Sequence, residues 1–124
     1  MSFDFAIDHV QIAIPKGGED IGRAFFGKLL ELEELPKPAD MAARGGCWFV
    51  TADRQIHLGV DVAFVPALKA HIALNTDALD ELRLHLEKAG FPAHDDSDVD
   101  GRHRFFTHDP FGNRIEFLDR TARR

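Results

Sequence analysis

Hydrophobic and polar residues alternate strictly near the start of the chain. Val10, Ile12 and Ile14 share one parity, and His9, Gln11 and Ala13 the other. A period of two predicts a strand over 5–14 with one buried face. Pro15 and Gly17-Gly18 stop it. Ile21, Phe25 and Leu29 then recur at four-residue spacing, with Phe26 and Leu30 widening the stripe, which predicts a helix over 19–31. Leu35-Pro36-Lys37-Pro38 breaks the pattern, and a loop is expected through Gly45. Two short strands follow, 46–51 and 54–60. A two-residue connection at Ala52-Asp53 would pair Phe49 with Ile56 and Trp48 with His57. Residues 61–69, with Pro66, read as a linker.

The second half repeats the order. His71 to Thr76 alternates as a strand, and Asp77 is placed to cap a helix running to about Ala89, with Leu79, Leu82 and Leu86 on its apolar face. Gly90 ends it, and Phe91 to His94 reads as a short strand. The acidic run from Asp95 to Gly101 reads as a mobile loop, and the last two strands, 102–108 and 113–119, form a hairpin around Asp109-Pro110-Phe111-Gly112. The order is βαβββ twice, over about 5–60 and 70–119. Strands that follow a helix in runs exclude a doubly wound parallel sheet. The expected fold is α+β, a single domain (1–124) of two modules, each a mostly antiparallel sheet with its helix on one face. The two sheets are expected to face each other and enclose a cup.

The halves also match in chemistry. Asp8-His9-Val10-Gln11 opens the first and Gln55-Ile56-His57-Leu58 closes it, while His71-Ile72-Ala73 opens the second and Arg114-Ile115-Glu116-Phe117 closes it. His9 alternates with Val10 and Ile12, His57 with Ile56 and Leu58, His71 with Ile72 and Leu74, and Glu116 with Ile115 and Phe117, so all four leave the face opposite the one that meets a helix. Three imidazoles and a carboxylate are donor types for a divalent transition metal. A lone histidine of this kind is more often a hydrogen-bonded core residue, and it is the matching parity of four that points to ligation. His57 also fits a role behind the ligands or against substrate. Gln11 shares the His9 face. Trp48 lies beside His57 in the expected register and can cover an apolar part of a substrate or fill the core. Arg104 and Phe106 share the Glu116 face only if the last turn holds five residues, in which case Arg104 suits an anionic substrate; a surface ion pair is its alternative role.

Bulk properties narrow the classes. Hydrophobic residues make up 44% and charged residues 29% of the 124, the balance of one globular domain. A formal charge of −6 and scattered basic residues exclude nucleic acid as the main partner. The terminal Arg120, Arg123 and Arg124 read as a solvated tail. No apolar run approaches 18 residues, so no membrane span is expected. The first residues lack the basic start of a signal peptide. The single cysteine, Cys47, shares the Phe49 face and reads as a buried, inert thiol, which fits a reducing cytoplasm.

The paired βαβββ modules, His9 on the first strand, His71 on the fifth and the closing DPFGNRIEF (Asp109 to Phe117) resemble the vicinal oxygen chelate superfamily over nearly the whole chain. That superfamily includes glyoxalase I, extradiol dioxygenases, methylmalonyl-CoA epimerase, and fosfomycin-resistance and bleomycin-binding proteins. The resemblance implies His9, His71 and Glu116 as metal ligands, with His57 standing where glyoxalase I has Glu and the epimerase Gln. It implies one divalent ion per site (Zn, Ni, Co, Mn or Fe), acting as a Lewis acid on a small substrate that chelates through adjacent oxygens, a thiol adduct among the candidates. Glu116, and His57 when not bound to metal, are then the candidate catalytic bases. The activity implied is a lyase or isomerase of glyoxalase type. A fosfomycin-type thiol transferase, a bleomycin-type sequestering protein and an extradiol-type dioxygenase are the alternatives. Relatives are mostly dimers, so a homodimer is expected.

Overall fold

The structure, a computed structural model, describes residues 2–124. The chain divides into two compact units, one up to Val65 and one from Pro66 on. The division falls inside the expected linker.

In the first unit, strand β1 (His9–Ile14) leads to a helix that begins as α1 (Glu19–Gly22) and continues as a π-helix (Arg23–Leu29). After it come β2 (Glu33–Leu35), α2 (Ala39–Ala42), β3 (Cys47–Val50) and β4 (Gln55–Val60). The sheet order is β1-β4-β3-β2, with β1 parallel to β4 and the other pairs antiparallel. The expected strand from residue 5 begins only at His9. Its partner β4 starts at Gln55, opposite His9, so the residues before His9 have no neighbouring strand, and Phe5 is 89% exposed. The hairpin pairs Trp48 with His57 and Phe49 with Ile56, as its two-residue turn requires, and Thr51 N–H donates to Arg54 O at 2.8 Å to close that turn.

The helix departs from simple four-residue spacing. Leu30 N–H bonds Phe25 O at 2.9 Å, one residue farther back than in an α-helix. Phe25 and Phe26 are both buried, as the apolar stripe requires, while Ile21, in the α-helical turn ahead of the wider winding, is exposed. The expected loop from Ala39 to Gly45 contains α2, and β2 lies ahead of it in residues assigned to no element. Two of the three β2 residues are glutamates, which hide a strand from pattern reading; Glu34 is held there by Arg23 at 3.0 Å.

The second unit runs β5 (Ile72–Thr76), α3 (Leu79–Lys88), β6 (His94–Asp95), β7 (Arg104–His108) and β8 (Arg114–Asp119), in the order β5-β8-β7-β6 with β5 parallel to β8. Both units are therefore open, four-stranded mixed sheets, and the α+β assignment holds. Asp77 does not cap α3. Thr76 Oγ1 accepts from Ala78 N–H at 3.1 Å instead, and Asp77 pairs with Arg120 at 2.8 Å. The C-terminal arginines are not a free tail: Arg123 bonds Asp119 at 2.8 Å and Asp80 at 2.9 Å. The acidic loop is likewise tied down, with Arg104 Nε donating to Ser97 O at 2.7 Å. No helix among the described residues is long and apolar enough to cross a membrane.

The last turn holds five residues, Asp109 to Asn113, between the paired His108 and Arg114. Buried Asp109 organises it by accepting from Phe111 N–H, Asn113 N–H and Asn113 Nδ2, each at 2.9 Å. Burial pushes the Asp109 carboxyl up, and these hydrogen bonds oppose the shift. The turn length sets the parity of β7, so Arg104 and Phe106 do share the Glu116 face.

Cys47 is 1% exposed among Phe49 and the helix residues, and burial pushes its thiol up to about 11 from 9.0. At pH 8 its thiolate fraction is then about a hundredfold below that of a free thiol. Ellman's reagent is expected to label native protein at the global unfolding rate only, and rapid stoichiometric labelling would contradict this burial. The sign for stability follows. Between about pH 9 and 11 the unfolded chain has lost the Cys47 proton that the fold retains, so stability falls as pH rises through that window.

Candidate metal centre

The two units place their first and last polar residues in the same register. In the first, His9 faces Gln55 and Gln11 faces His57; in the second, Ala73 faces Glu116, which sets His71 beside Arg114. Opening and closing residues thus sit diagonally across a parallel strand pair, near enough for side-chain contact. All four leave the face opposite the helix, as the alternation requires.

In the second unit His71 Nδ1 donates to Lys69 O at 3.0 Å, which turns its Nε2 toward Glu116. That nitrogen lies 3.0 Å from Glu116 Oε1. At that distance either a proton or a metal cation lies between the nitrogen and the carboxylate. Two donors each about 2.1 Å from one cation, at right angles, are about 3.0 Å apart, so the pair fits a divalent metal. Glu116 is 8% exposed. Its second oxygen is 3.7 Å from Arg104, whose guanidinium also reaches Asp96 at 3.6 Å. Phe106 packs edge-on against His71 at 5.2 Å and lies under Arg114 at 3.8 Å. Arg114 was not among the sequence candidates, although its place two residues before Glu116 gives it the same face.

In the first unit His9 Nδ1 donates to Asp8 at 2.8 Å, which leaves Nε2 to ligate. An imidazole fixed through one nitrogen by a carboxylate or carbonyl is the usual arrangement of a metal-binding histidine. Asp8 was missed as a site residue; its adjacency to His9 was the available signal. His57 behaves differently. It is stacked between His9 (4.1 Å, 16°) and Trp48 (4.3 Å, 9°), and its Nε2 bonds Gln55 Oε1 at 2.8 Å. Rings stacked nearly parallel about 4 Å apart keep their in-plane lone pairs in separate planes, which does not suit ligation of one cation. Burial first, and His9 next, hold the His57 imidazole below its ordinary value, so it is neutral at pH 7, with Nδ1 as acceptor. Gln11 lies over Gly59, where any Cβ would come within 2.4 Å of its amide. Among the described residues no three His, Cys, Asp or Glu side chains gather at one point.

No family model matches this chain, and no curated protein does either. Solved structures do. A protein of Bacillus anthracis assigned to the glyoxalase family is 43% identical, with 98% of this chain and 99% of that one covered and a TM-score of 0.92. A variant of the fosfomycin resistance protein FosX from Listeria monocytogenes, complexed with Mn(II) and 1S,2S-dihydroxypropylphosphonic acid, is 16% identical over 94% of this chain and 92% of that one, with a TM-score of 0.77. A glyoxalase/dioxygenase from Nostoc punctiforme is 20% identical over 88% of each chain, with a TM-score of 0.70. At those lower identities the likeness is one of fold.

Proposed function

This chain belongs to the glyoxalase family, within the vicinal oxygen chelate superfamily, and on that premise we propose that it is a divalent-metal-dependent lyase or isomerase of glyoxalase type acting on a small oxygen-chelating substrate. The observation that carries the reading is the approach of His71 Nε2 and Glu116 Oε1 to 3.0 Å. His9, His71 and Glu116 are the ligands proposed, and His9 joins the second-unit pair from the same chain or from a second copy. The donor set suits Mn, Fe, Co, Ni or Zn. Bound there, the cation supplies Lewis-acid polarisation of a substrate oxygen.

The chain's own groups do the rest. Asp8 and the Lys69 carbonyl fix the two imidazoles. Arg104 offers Glu116 a positive partner. His57, neutral and fixed by Gln55, is suited to take a proton at Nδ1. To serve as a fourth ligand it would have to leave its stack with His9 and Trp48. Glu116 is the alternative base if it detaches from the cation. A homodimer in the cytoplasm is the assembly proposed, and the lone buried thiol is consistent with a reducing compartment. Size-exclusion at several concentrations tests the dimer; a monomer throughout contradicts it.

The decisive experiment is metal analysis of purified protein, followed by turnover of 2-oxoaldehyde hemithioacetals after reconstitution with each of the five metals. His9→Ala is expected to lower turnover by at least about a hundredfold. Protein that retains no metal from any of the five, with no restored turnover, would sink the assignment. A second reading is manganese-dependent opening of a phosphonate epoxide by a thiol or by water; the FosX neighbour holds Mn(II) and a dihydroxypropylphosphonic acid, a diol that corresponds to the addition of water. Fosfomycin resistance on expression, without hemithioacetal turnover, would select it.

A further inference from the structure

The first unit contains a cleft of about 460 Å³ whose lining includes His9, His57 and Trp48 together with Lys37 and Arg44. Its charges are lopsided. Asp8 is the only carboxylate in the lining, and it is engaged by His9. Arg44 has no side-chain hydrogen bond or ion pair among the described residues. Lys37 donates to the Gly45 carbonyl, which leaves further N–H groups of its ammonium for a ligand. Of the acids close by, Glu34 is held by Arg23 and Glu19 by the Gly46 N–H at 3.0 Å, while Asp40 of α2 lies outside the cleft lining. A protein of net charge −6 thus presents two available cations in one cleft.

The position of these cations is built by the fold. Lys37 precedes α2 and Arg44 follows it, and the Lys37–Gly45 and Gly46–Glu19 hydrogen bonds close the segment into a strap across the cleft. Apolar surface lies beside the charge, from Trp48, Met41 and Val60. We propose that this cleft binds an acidic substrate, a carboxylate or phosphonate, with the oxyanion on Lys37 and Arg44 and the carbon skeleton against Trp48. The inference rests on the reading above and adds to it a second handle on the substrate, separate from the oxygens offered to the metal. Two charge-assisted contacts on one oxyanion give both affinity and orientation.

Trp48 is the only tryptophan, so its fluorescence reports the cleft directly. Benzoate, phenylphosphonate and neutral benzamide are titrated into the parent, Arg44→Ala, Lys37→Ala/Arg44→Ala and Glu116→Ala proteins, with metal content measured in each. Both anions are expected to shift the signal saturably, with affinity falling as salt is raised, and benzamide to bind at least about tenfold more weakly. The double variant is expected to lose at least about tenfold in anion affinity while keeping its metal. Arg44→Ala, which removes no hydrogen bond or ion pair among the described residues, gives the same direction without the folding risk of replacing Lys37. Whichever anion binds more tightly identifies the acid group. Equal binding of benzamide, or undiminished anion affinity in both Arg44→Ala and the double variant, overturns the proposal. Glu116→Ala separates the two claims, because it is expected to lose metal yet bind anions as the parent does. A parent that holds no metal but binds benzoate through Arg44 would end the metal reading and leave the anion site standing.

Discussion

Replacing Glu116 with alanine is expected to reduce bound metal to below about a tenth of the parent level and to abolish turnover. Loss of a group that only supports a ligand costs about 10–100-fold in metal affinity, and loss of a ligand should cost more. Glu116 is the only carboxylate in the proposed set, and a proton or a metal cation lies between its Oε1 and His71 Nε2. Glu116→Gln is the sharper variant. It keeps a similar shape but removes the negative charge, so it should fold like the parent and still bind metal poorly. Elemental analysis after dialysis, read beside the circular dichroism of each variant, separates ligand loss from misfolding. Arg104→Ala serves as the comparison: it removes Glu116's cationic neighbour at 3.7 Å but no proposed ligand, and should keep its metal. Full metal occupancy in Glu116→Ala would remove Glu116 from the centre.

Gly46→Ala is expected to destabilise the protein by about 3–5 kcal/mol. Gly46 has φ +81°, a conformation that L side chains rarely adopt. The larger problem is space, because an added Cβ would lie 2.0 Å from the Leu58 carbonyl oxygen. That oxygen belongs to β4, so relief requires the β3–β4 pair to part at the end where Cys47 faces Leu58. The same movement would disturb Trp48 and His57 one residue on. Urea unfolding should show a lower midpoint, and the Trp48 emission of the folded variant should differ from that of the parent. Gly90→Ala provides the control. Gly90 also has positive φ, but nothing lies within 4 Å of an added Cβ, so that variant should lose only the conformational part, about 1 kcal/mol. Equal losses in the two variants would mean that the close approach at Gly46 is relieved without cost.

Much of the fold could be read from period alone. Alternation at Val10, Ile12 and Ile14, and again around Ile115 and Phe117, fixed both the strands and the face from which His9 and Glu116 project, because one face had to be buried. The register of Trp48 against His57 followed from a two-residue turn. Where local signals were weak or competed with tertiary contacts, the reading failed. The strand at Glu33–Leu35 carries no alternation of its own and exists because β3 offers it an edge. Asp77 looks like a helix cap but is taken by Arg120, whose guanidinium arrives from the far end of the unit. The π-helical winding over Arg23–Leu29 has no counterpart in the four-residue spacing of the apolar residues.

The sequence by itself determined that the chain is a duplicated βαβββ unit with four polar residues of ligand type on matched positions, since parity and spacing are properties of a linear pattern. Only the tertiary structure decided how those side chains meet. It tied His9 and His71 through their Nδ1 atoms and aimed His71 at Glu116. It also turned His57 flat between two rings, and folded the Lys37–Arg44 strap over the same cleft. Ring orientation, tautomer and charge pairing depend on neighbours far away in sequence, and a one-dimensional pattern carries no information about them.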